Sequence, residues 1–216
     1  ANNDSLKLYT EKKIRNEATK STNFIFDISH KFLEKTFPSS NLNKNILELG
    51  ASKDEHLKHC RGFRSYVLSD MNLNLLEDQK LSENVEIEKI DASKINSKNY
   101  KKRFDRVIAC NLLEHLENPE EKIVNWMSLL EKGGYLSLLV PCDPGILWRF
   151  GRNFGPRRDA KKQKLSYDLY MALEHKNPVS NLITIIEEGF KIKGNFFPFP
   201  IRSWNLNLFY VVHIKL

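Results

Sequence analysis

The sequence predicts an α/β fold: a seven-stranded, mostly parallel sheet with helices on both faces and an antiparallel last strand. Short apolar runs alternate with stretches of helical period, the pattern of parallel strands joined by helical crossovers. Five such runs fall at 45–49, 65–69, 85–90, 106–110 and 135–140. The last two runs, 190–197 and 206–215, are separated only by the 199–205 loop. That connection suits a hairpin and is too short for a helical crossover, so the last strand must run antiparallel.

The remaining elements follow in order. Over 11–37 the residues Ile14, Ala18, Ile25, Ile28, Phe32 and Leu33 recur at amphipathic helical spacing, giving an N-terminal helical cap over 1–40 that Pro38 and Ser39 end. A helix-like stretch covers 73–78. Pro119 opens the clearest helix, with Glu120 and Glu121 placed well against its dipole. Ile123, Met127 and Leu130 form its buried stripe, and Gly133 and Gly134 are expected to stop it. A further helix over 178–188 buries Val179, Leu182, Ile183 and Ile186, with Gly189 as its expected cap. No internal repeat or low-complexity linker divides the chain, so 1–216 reads as one domain with a basic, lid-like insertion at 144–177.

Composition narrows the class. A chain of 216 residues buries a sizeable core without disulfide or metal staples. Its longest apolar runs, 136–140 and 208–214, fall far short of the roughly 20 residues that cross a bilayer. The polar start at 1–8 lacks a signal-peptide pattern, which gives a cytoplasmic expectation. Cys60, Cys110 and Cys142 are widely spaced with no C-x-x-C pair, so we expect reduced core thiols and no metal site. The net charge is +7, and between Arg149 and Lys164 seven cations face only Asp159. This segment reads either as a solvated loop or as a folded flap. The interleaved Trp148, Phe150 and Phe154, with Gly151, Gly155 and Pro156, suit a flap holding an anion such as phosphate. The segment also suits an anionic membrane surface. Nucleic acid is disfavoured, because the rest of the chain is near neutral and carries no nucleic-acid-binding motif.

Ligands of open parallel sheets bind at the carboxyl ends of the strands. The residues there are Glu48-Leu49-Gly50-Ala51-Ser52-Lys53-Asp54, Ser69-Asp70-Met71, Ile90-Asp91-Ala92, Cys110-Asn111-Leu112 and Pro141-Cys142-Asp143. Asp70 lies 20 positions beyond Gly50, where a ribose-binding carboxylate belongs. Gly50 leaves room for a close backbone approach to a ligand.

This series resembles the class I S-adenosylmethionine-dependent methyltransferases, whose pattern is E/D-x-G-x-G-x-G, then an acidic residue, then an E-H-L stretch, matched here by Glu114-His115-Leu116. The resemblance covers about 45–140 and implies a Rossmann-like fold with S-adenosylmethionine as cofactor. It implies that Glu48, Gly50 and Ala51 hold the methionyl part and that Asp70 binds the ribose, with Ser52 and Met71 as further cofactor contacts. Asp91 and Ala92 would flank the adenine, with Asn111 and Leu112 near the sulfonium. Ser52 and Asp54 stand where the family pattern has its second and third glycines, a departure that weighs more heavily against a nicotinamide-dependent reductase.

Methyl transfer needs alignment and exclusion of water, not a covalent nucleophile. His115 and His175 are both candidate bases, and Asp143 is positioned to orient either or to bind an acceptor hydroxyl. Arg149, Arg152, Arg157, Arg158, Glu174, Asn177 and Trp204 are candidate acceptor contacts; Asn177 also reads as a helix cap. His56 and His59 are expected on an exposed helix face. The expected activity is methyl transfer to a small, polar, anionic acceptor, such as a nucleotide- or lipid-linked sugar. Two other readings are an inactive methyltransferase-like binding module, with Ser52 and Asp54 as the lesion, and a protein that docks on membrane surfaces.

Overall fold

The computed structural model describes residues 20–38, 44–52, 56–60, 62–76, 81–154, 156–162 and 166–216. Seven strands form one sheet in the order β3-β2-β1-β4-β5-β7-β6. They are β1 (Lys44–Leu49), β2 (Phe63–Asp70), β3 (Val85–Lys89), β4 (Phe104–Cys110), β5 (Leu130–Pro141), β6 (Asn195–Phe197) and β7 (Phe209–Lys215). The first five pair in parallel, and β7 runs antiparallel to both β5 and β6. The helices are α1 (Lys20–Thr36), α2 (Pro119–Met127), α3 (Ile146–Phe154), α4 (Pro156–Lys162), α5 (Tyr167–Glu174) and α6 (Val179–Phe190).

Both faces of the sheet are buried, as the apolar strand sequences require. Alternation along each strand splits the core in two. Leu47, Val107, Ala109, Leu136 and Leu138 pack on one side with Ile123 and Trp126 of α2 and Leu182 and Ile186 of α6. Ile46, Ile108, Leu139 and Val211 pack on the other with Leu33 of α1 and Trp148 of α3. No helix among the described residues is long and apolar enough to cross a membrane.

Several expected boundaries move. Helix α2 ends at Met127 rather than at the glycine pair, and Leu130, Gly133 and Gly134 belong to β5. Gly134 is needed in the strand, because a Cβ there would stand 2.9 Å from the carbonyl oxygens of Asp105 and Glu131. Helix α6 runs through Gly189 and closes on Lys191, which takes the left-handed conformation at φ 51°; β6 is accordingly cut to three residues. Pro178, not Asn177, is the N-cap of α6. The stretch expected to be helical at 73–78 is a single 3-10 turn over Leu73–Leu75 in its described part. The basic segment folds as α3, α4 and α5. Residues 11–19 of the first helical stretch lie outside the described residues.

The largest departure concerns His56, which was expected to face solvent and is fully buried; the His59 side chain is mostly covered as well. His56 belongs to a polar chain that fastens α1 to the sheet. Its Nε2 donates to Glu34 Oε1 at 3.0 Å, and its Nδ1 accepts from His30 Nδ1 at 3.0 Å. The buried Arg106 donates to Glu34 Oε1 at 2.6 Å through Nη1 and to the Ser137 hydroxyl at 2.8 Å through Nε. Ser137 donates in turn to His213 Nδ1 at 2.9 Å, and His213 Nε2 lies 3.1 Å from Thr36 Oγ1. The Arg106 guanidinium also covers the Phe37 ring at 3.9 Å. Such a network is strong only while every member keeps its partner.

Burial, with the Arg106 charge adding to it, pulls His213 down to about 3, and burial likewise holds His30 and His56 below their ordinary value of 6.5. For Glu34 burial acts to raise the pKa, but the hydrogen bond from His56 and the charge of Arg106 outweigh it and hold the carboxyl at about 2. In acid the unfolded chain therefore binds more protons than the folded one. Stability falls as the pH drops below 6.5, where the unfolded histidines charge, and falls again below 4.5, where an unfolded Glu34 protonates. Urea titrations between pH 7 and 4 should show the unfolding free energy falling, by up to about 1.4 kcal/mol per pH unit for each excess proton. His213→Gln should flatten that limb; a pH-independent free energy across the range would contradict the assignment.

Candidate functional site

The strand order reverses between β1 and β4, so a crevice opens at their carboxyl ends. On the β1 side, Gly50 turns the chain at φ +67°, and a Cβ there would lie 3.1 Å from the Leu112 side chain. Ser52 follows at φ 50°, the left-handed region a glycine would favour, at a cost of about 1 kcal/mol. Its amide donates to Asp70 Oδ2 at 3.1 Å, while the Asn72 amide donates to Asp70 Oδ1 at 2.8 Å. Asp70 thus ties the loop after β1 to the end of β2. A carboxylate has about four acceptor positions, so it retains capacity for further donors.

The other residues expected on this side occupy the strand tips. Ala51 is buried, and Glu48 is buried beneath it with its carboxylate accepting from the Tyr66 hydroxyl at 2.7 Å. Met71 is exposed. Asp91 accepts from the Ser93 amide and hydroxyl, and the Ala92 carbonyl accepts from Trp126 Nε1 at 2.8 Å. Asn111 sits at φ 50°, with its amide bonded to the Leu139 carbonyl at 2.8 Å. Lys53 and Asp54 lie outside the described residues.

Beyond β4 and β5 the structure brings together groups that are remote in sequence. His115 stands on a 3-10 turn after β4, and its Nδ1 donates to the Glu174 carbonyl at 2.8 Å. The His115 and His175 rings meet edge to face at 4.8 Å. His175 Nδ1 lies 2.9 Å from Asp143 Oδ2, and Asp143 Oδ1 lies 3.2 Å from Arg152 Nη1. Asp143, Arg152 and His175 line a cavity of about 390 Å³ together with Arg149, Arg157, Asp168 and Asn177, whereas His115 stands behind His175 and does not line it. Arg157 is held by Asp168 and by Asn153 Oδ1. Arg158 is exposed on α4 and does not line the cavity, nor do Glu174 and Trp204. Glu174 instead supplies the carbonyl that orients His115. The Trp204 carbonyl would stand 2.6 Å from a Cβ at Gly145, so Gly145 allows the start of α3 to pack against it.

Asn177 was read as a cap and as an acceptor contact. Its side-chain amide donates to the Leu116 carbonyl at 2.6 Å and to the Leu113 carbonyl at 3.1 Å, and its backbone amide donates to the Glu114 carbonyl at 3.0 Å. It locks the Glu114-His115-Leu116 turn to the segment that presents His175.

Sequence reasoning passed over Glu114 as a site residue. It is fully buried, and desolvation, with the Asp143 charge adding, pushes its carboxyl up to about 8. The signal was its place in the E-H-L stretch, but burial depends on elements about 60 residues away. Among the described residues, Asn111 Oδ1, Glu114 Oε2, Arg152 Nε and Arg157 Nε are buried side-chain atoms with neither a hydrogen-bond nor an ion-pair partner. Buried polar atoms are rarely left unmatched, so this concentration points to a ligand.

Metal donors also converge. Glu114, His115 and His175 bring ligand atoms within 4.8 Å of one another, as do His30, His56 and Cys110, and Glu34, His56 and Cys60. Ligation needs ionised thiols and carboxyls. Burial holds the Cys60, Cys110 and Glu114 side chains towards their neutral forms.

Comparison with known proteins agrees with this fold. A family model described as a methyltransferase domain matches residues 19–184. The plantazolicin methyltransferase BpumL, solved with S-adenosylhomocysteine, superposes with a TM-score of 0.60 at 13% identity, covering 100% of this chain and 91% of that one. The N-methyltransferase NodS of Bradyrhizobium japonicum gives 0.54 at 15% identity, over 86% and 93%. Phosphoethanolamine N-methyltransferase 1 of Haemonchus contortus gives 0.52 at 20%, over 65% of this chain and 32% of that protein. At these identities the likeness is one of fold. No curated protein matches the sequence. The family match covers most of the chain, which therefore belongs to the methyltransferase-domain family and is a class I enzyme that uses S-adenosylmethionine.

Proposed function

We propose that this methyltransferase acts on a small acceptor bearing phosphate or another anion, held in the cavity that Arg149, Arg152 and Arg157 line. The observation that carries this reading is the convergence of three guanidinium groups, two of which have a buried Nε without a hydrogen-bond partner among the described residues. Asp143 and Asp168 neutralise part of that charge. The fixed fork of arginine suits bidentate contacts to phosphate oxygens.

The residues at the β1–β4 crevice fit the cofactor. Gly50 leaves bare backbone at the turn, Asp70 has spare acceptor positions, and Asn111 Oδ1 is buried without a partner among the described residues. In this reading Glu48, Gly50, Ala51 and Ser52 hold the methionyl end, Asp70 and Met71 the ribose, and Asp91 and Ala92 the adenine. Asn111 and Leu112 border the methyl. When bound, S-adenosylmethionine supplies an electrophilic methyl carbon on a sulfonium sulfur.

Of the two histidines, His175 is the better proton acceptor. It lines the cavity, and Asp143, 2.9 Å from its Nδ1, stabilises the charge the ring gains on taking a proton from an acceptor hydroxyl or ammonium. His115, bound through Nδ1 to the Glu174 carbonyl, positions this wall of the cavity. Segment 144–177, folded as α3 to α5, serves as a lid that excludes water from the acceptor.

Calorimetry should show S-adenosylmethionine binding, and Asp70→Ala should weaken it by about 2 kcal/mol, roughly thirtyfold. No heat at millimolar cofactor would favour an inactive binding module. Inorganic phosphate should raise the melting temperature of the wild type but not of Arg149→Ala/Arg157→Ala, while cofactor affinity stays the same. A phosphate effect preserved in that variant would place the anion elsewhere.

Glu114 supplies a separate check. Its pKa is about 8 in the fold against an ordinary 4.5, so the contribution of Glu114 to stability falls as the pH rises from 4.5 through 8, against the slope set by the buried histidines. Glutamine mimics the neutral acid. Glu114→Gln should match the wild type at pH 4.5 and exceed it by at least about 1 kcal/mol at pH 8.5; parallel stability curves would show that Glu114 is ionised in the fold.

A further inference from the structure

Helix α3 separates two surfaces of opposite character. Arg149 and Arg152 line the anion cavity, whereas Ile146, Leu147 and Phe150 line an apolar groove of about 310 Å³ on the other side. Phe199, Ile201 and Leu206, from the connection between β6 and β7, complete the groove. These side chains are not core residues: Ile146 is 68% exposed, Phe150 58% and Ile201 50%. Two elements far apart in sequence thus present a continuous apolar face to solvent, a feature that marks an interaction site.

One cation flanks this face, and others stand exposed on the next helix. At 3.6 residues per turn, Arg149 lies about 60° around α3 from Ile146, so it flanks the apolar stripe. Arg158, Lys161 and Lys162 are exposed and share one side of α4, which packs against α3. We infer that this face docks on an anionic lipid surface, with Ile146, Phe150, Phe199 and Ile201 entering the acyl boundary and the α3–α4 cations meeting the headgroups. A helix with bulky apolar residues on one side and arginine at its flank has the character of an interfacial helix. A second copy of the chain is a poorer occupant, because a two-fold contact would set these cations against their own images. Docking does not depend on what the cavity holds. That the cavity then opens towards lipid headgroups, making the acceptor a lipid-borne phosphate, rests on the reading given under Proposed function.

The test is cosedimentation of the full chain, without cofactor, with vesicles of phosphatidylcholine alone or with about a third phosphatidylglycerol. Binding to the anionic vesicles should be at least about tenfold stronger than to the neutral ones. Arg158→Glu/Lys161→Glu should erase that preference. Ile146→Asp/Ile201→Asp should abolish binding, with melting temperature and cofactor affinity unchanged. Absence of binding, or full binding by the aspartate variant, would overturn the proposal. A concentration-dependent dimer that the aspartate variant dissociates would overturn it too, by assigning the face to a second copy. Failure of the anionic-acceptor reading would appear separately, as a missing phosphate effect on melting temperature with vesicle binding intact.

Discussion

The constraint on which the rest of the structure depends is the reversal of strand order between β1 and β4. From β1 the chain steps outward through β2 to β3, then crosses back to β4 and proceeds the other way through β5. Connections leave β1 and β4 in opposite directions, so no crossover covers the gap between their tips. Gly50 and Asn111, on either side of that gap, both take left-handed conformations that turn the chain away at once. The crevice follows from topology, and its side chains refine what topology has opened.

Two sets of polar contacts keep this edge rigid. Below the sheet, the chain from His30 through His56, Glu34, Arg106 and Ser137 to His213 joins α1, the segment after β1, and the strands β4, β5 and β7. A full positive charge on Arg106 is tolerable in the core because Glu34 meets it and the histidines stay neutral. At the edge, Asn177 donates to the Leu113 and Leu116 carbonyls on either side of the Glu114-His115 turn. One side chain thereby fixes the separation of His115 and His175. Helices α3 to α5 are joined to the sheet through the same turn, so the arginine-lined cavity and the β1–β4 crevice share one reference.

The fold was legible where local rules suffice. The strands are continuous apolar runs because both faces are covered, and the hairpin follows from loop length. Boundaries failed where a residue met a tertiary demand. Gly133 and Gly134 look like a helix stop, yet the neighbouring carbonyls of Asp105 and Glu131 make Gly134 a strand glycine. Lys191 outdid Gly189 as the end of α6 because Ile186 and its neighbours are held in the core to the last turn. His56 looked like a surface histidine, because nothing in its immediate sequence announces that Glu34 and His30 arrive from α1.

The sequence by itself determined the order of elements, the acidic and glycine residues at successive strand tips, and the concentration of cations after β5, since each depends on residues a few positions apart. Only the tertiary structure decided that His175, Asp143 and three arginines enclose one cavity, that Glu114 is buried, and that Ile146 and Ile201 form a common apolar face. Those relations join residues tens of positions apart, and their distances are set by side-chain packing between layers, which no periodicity in the chain encodes.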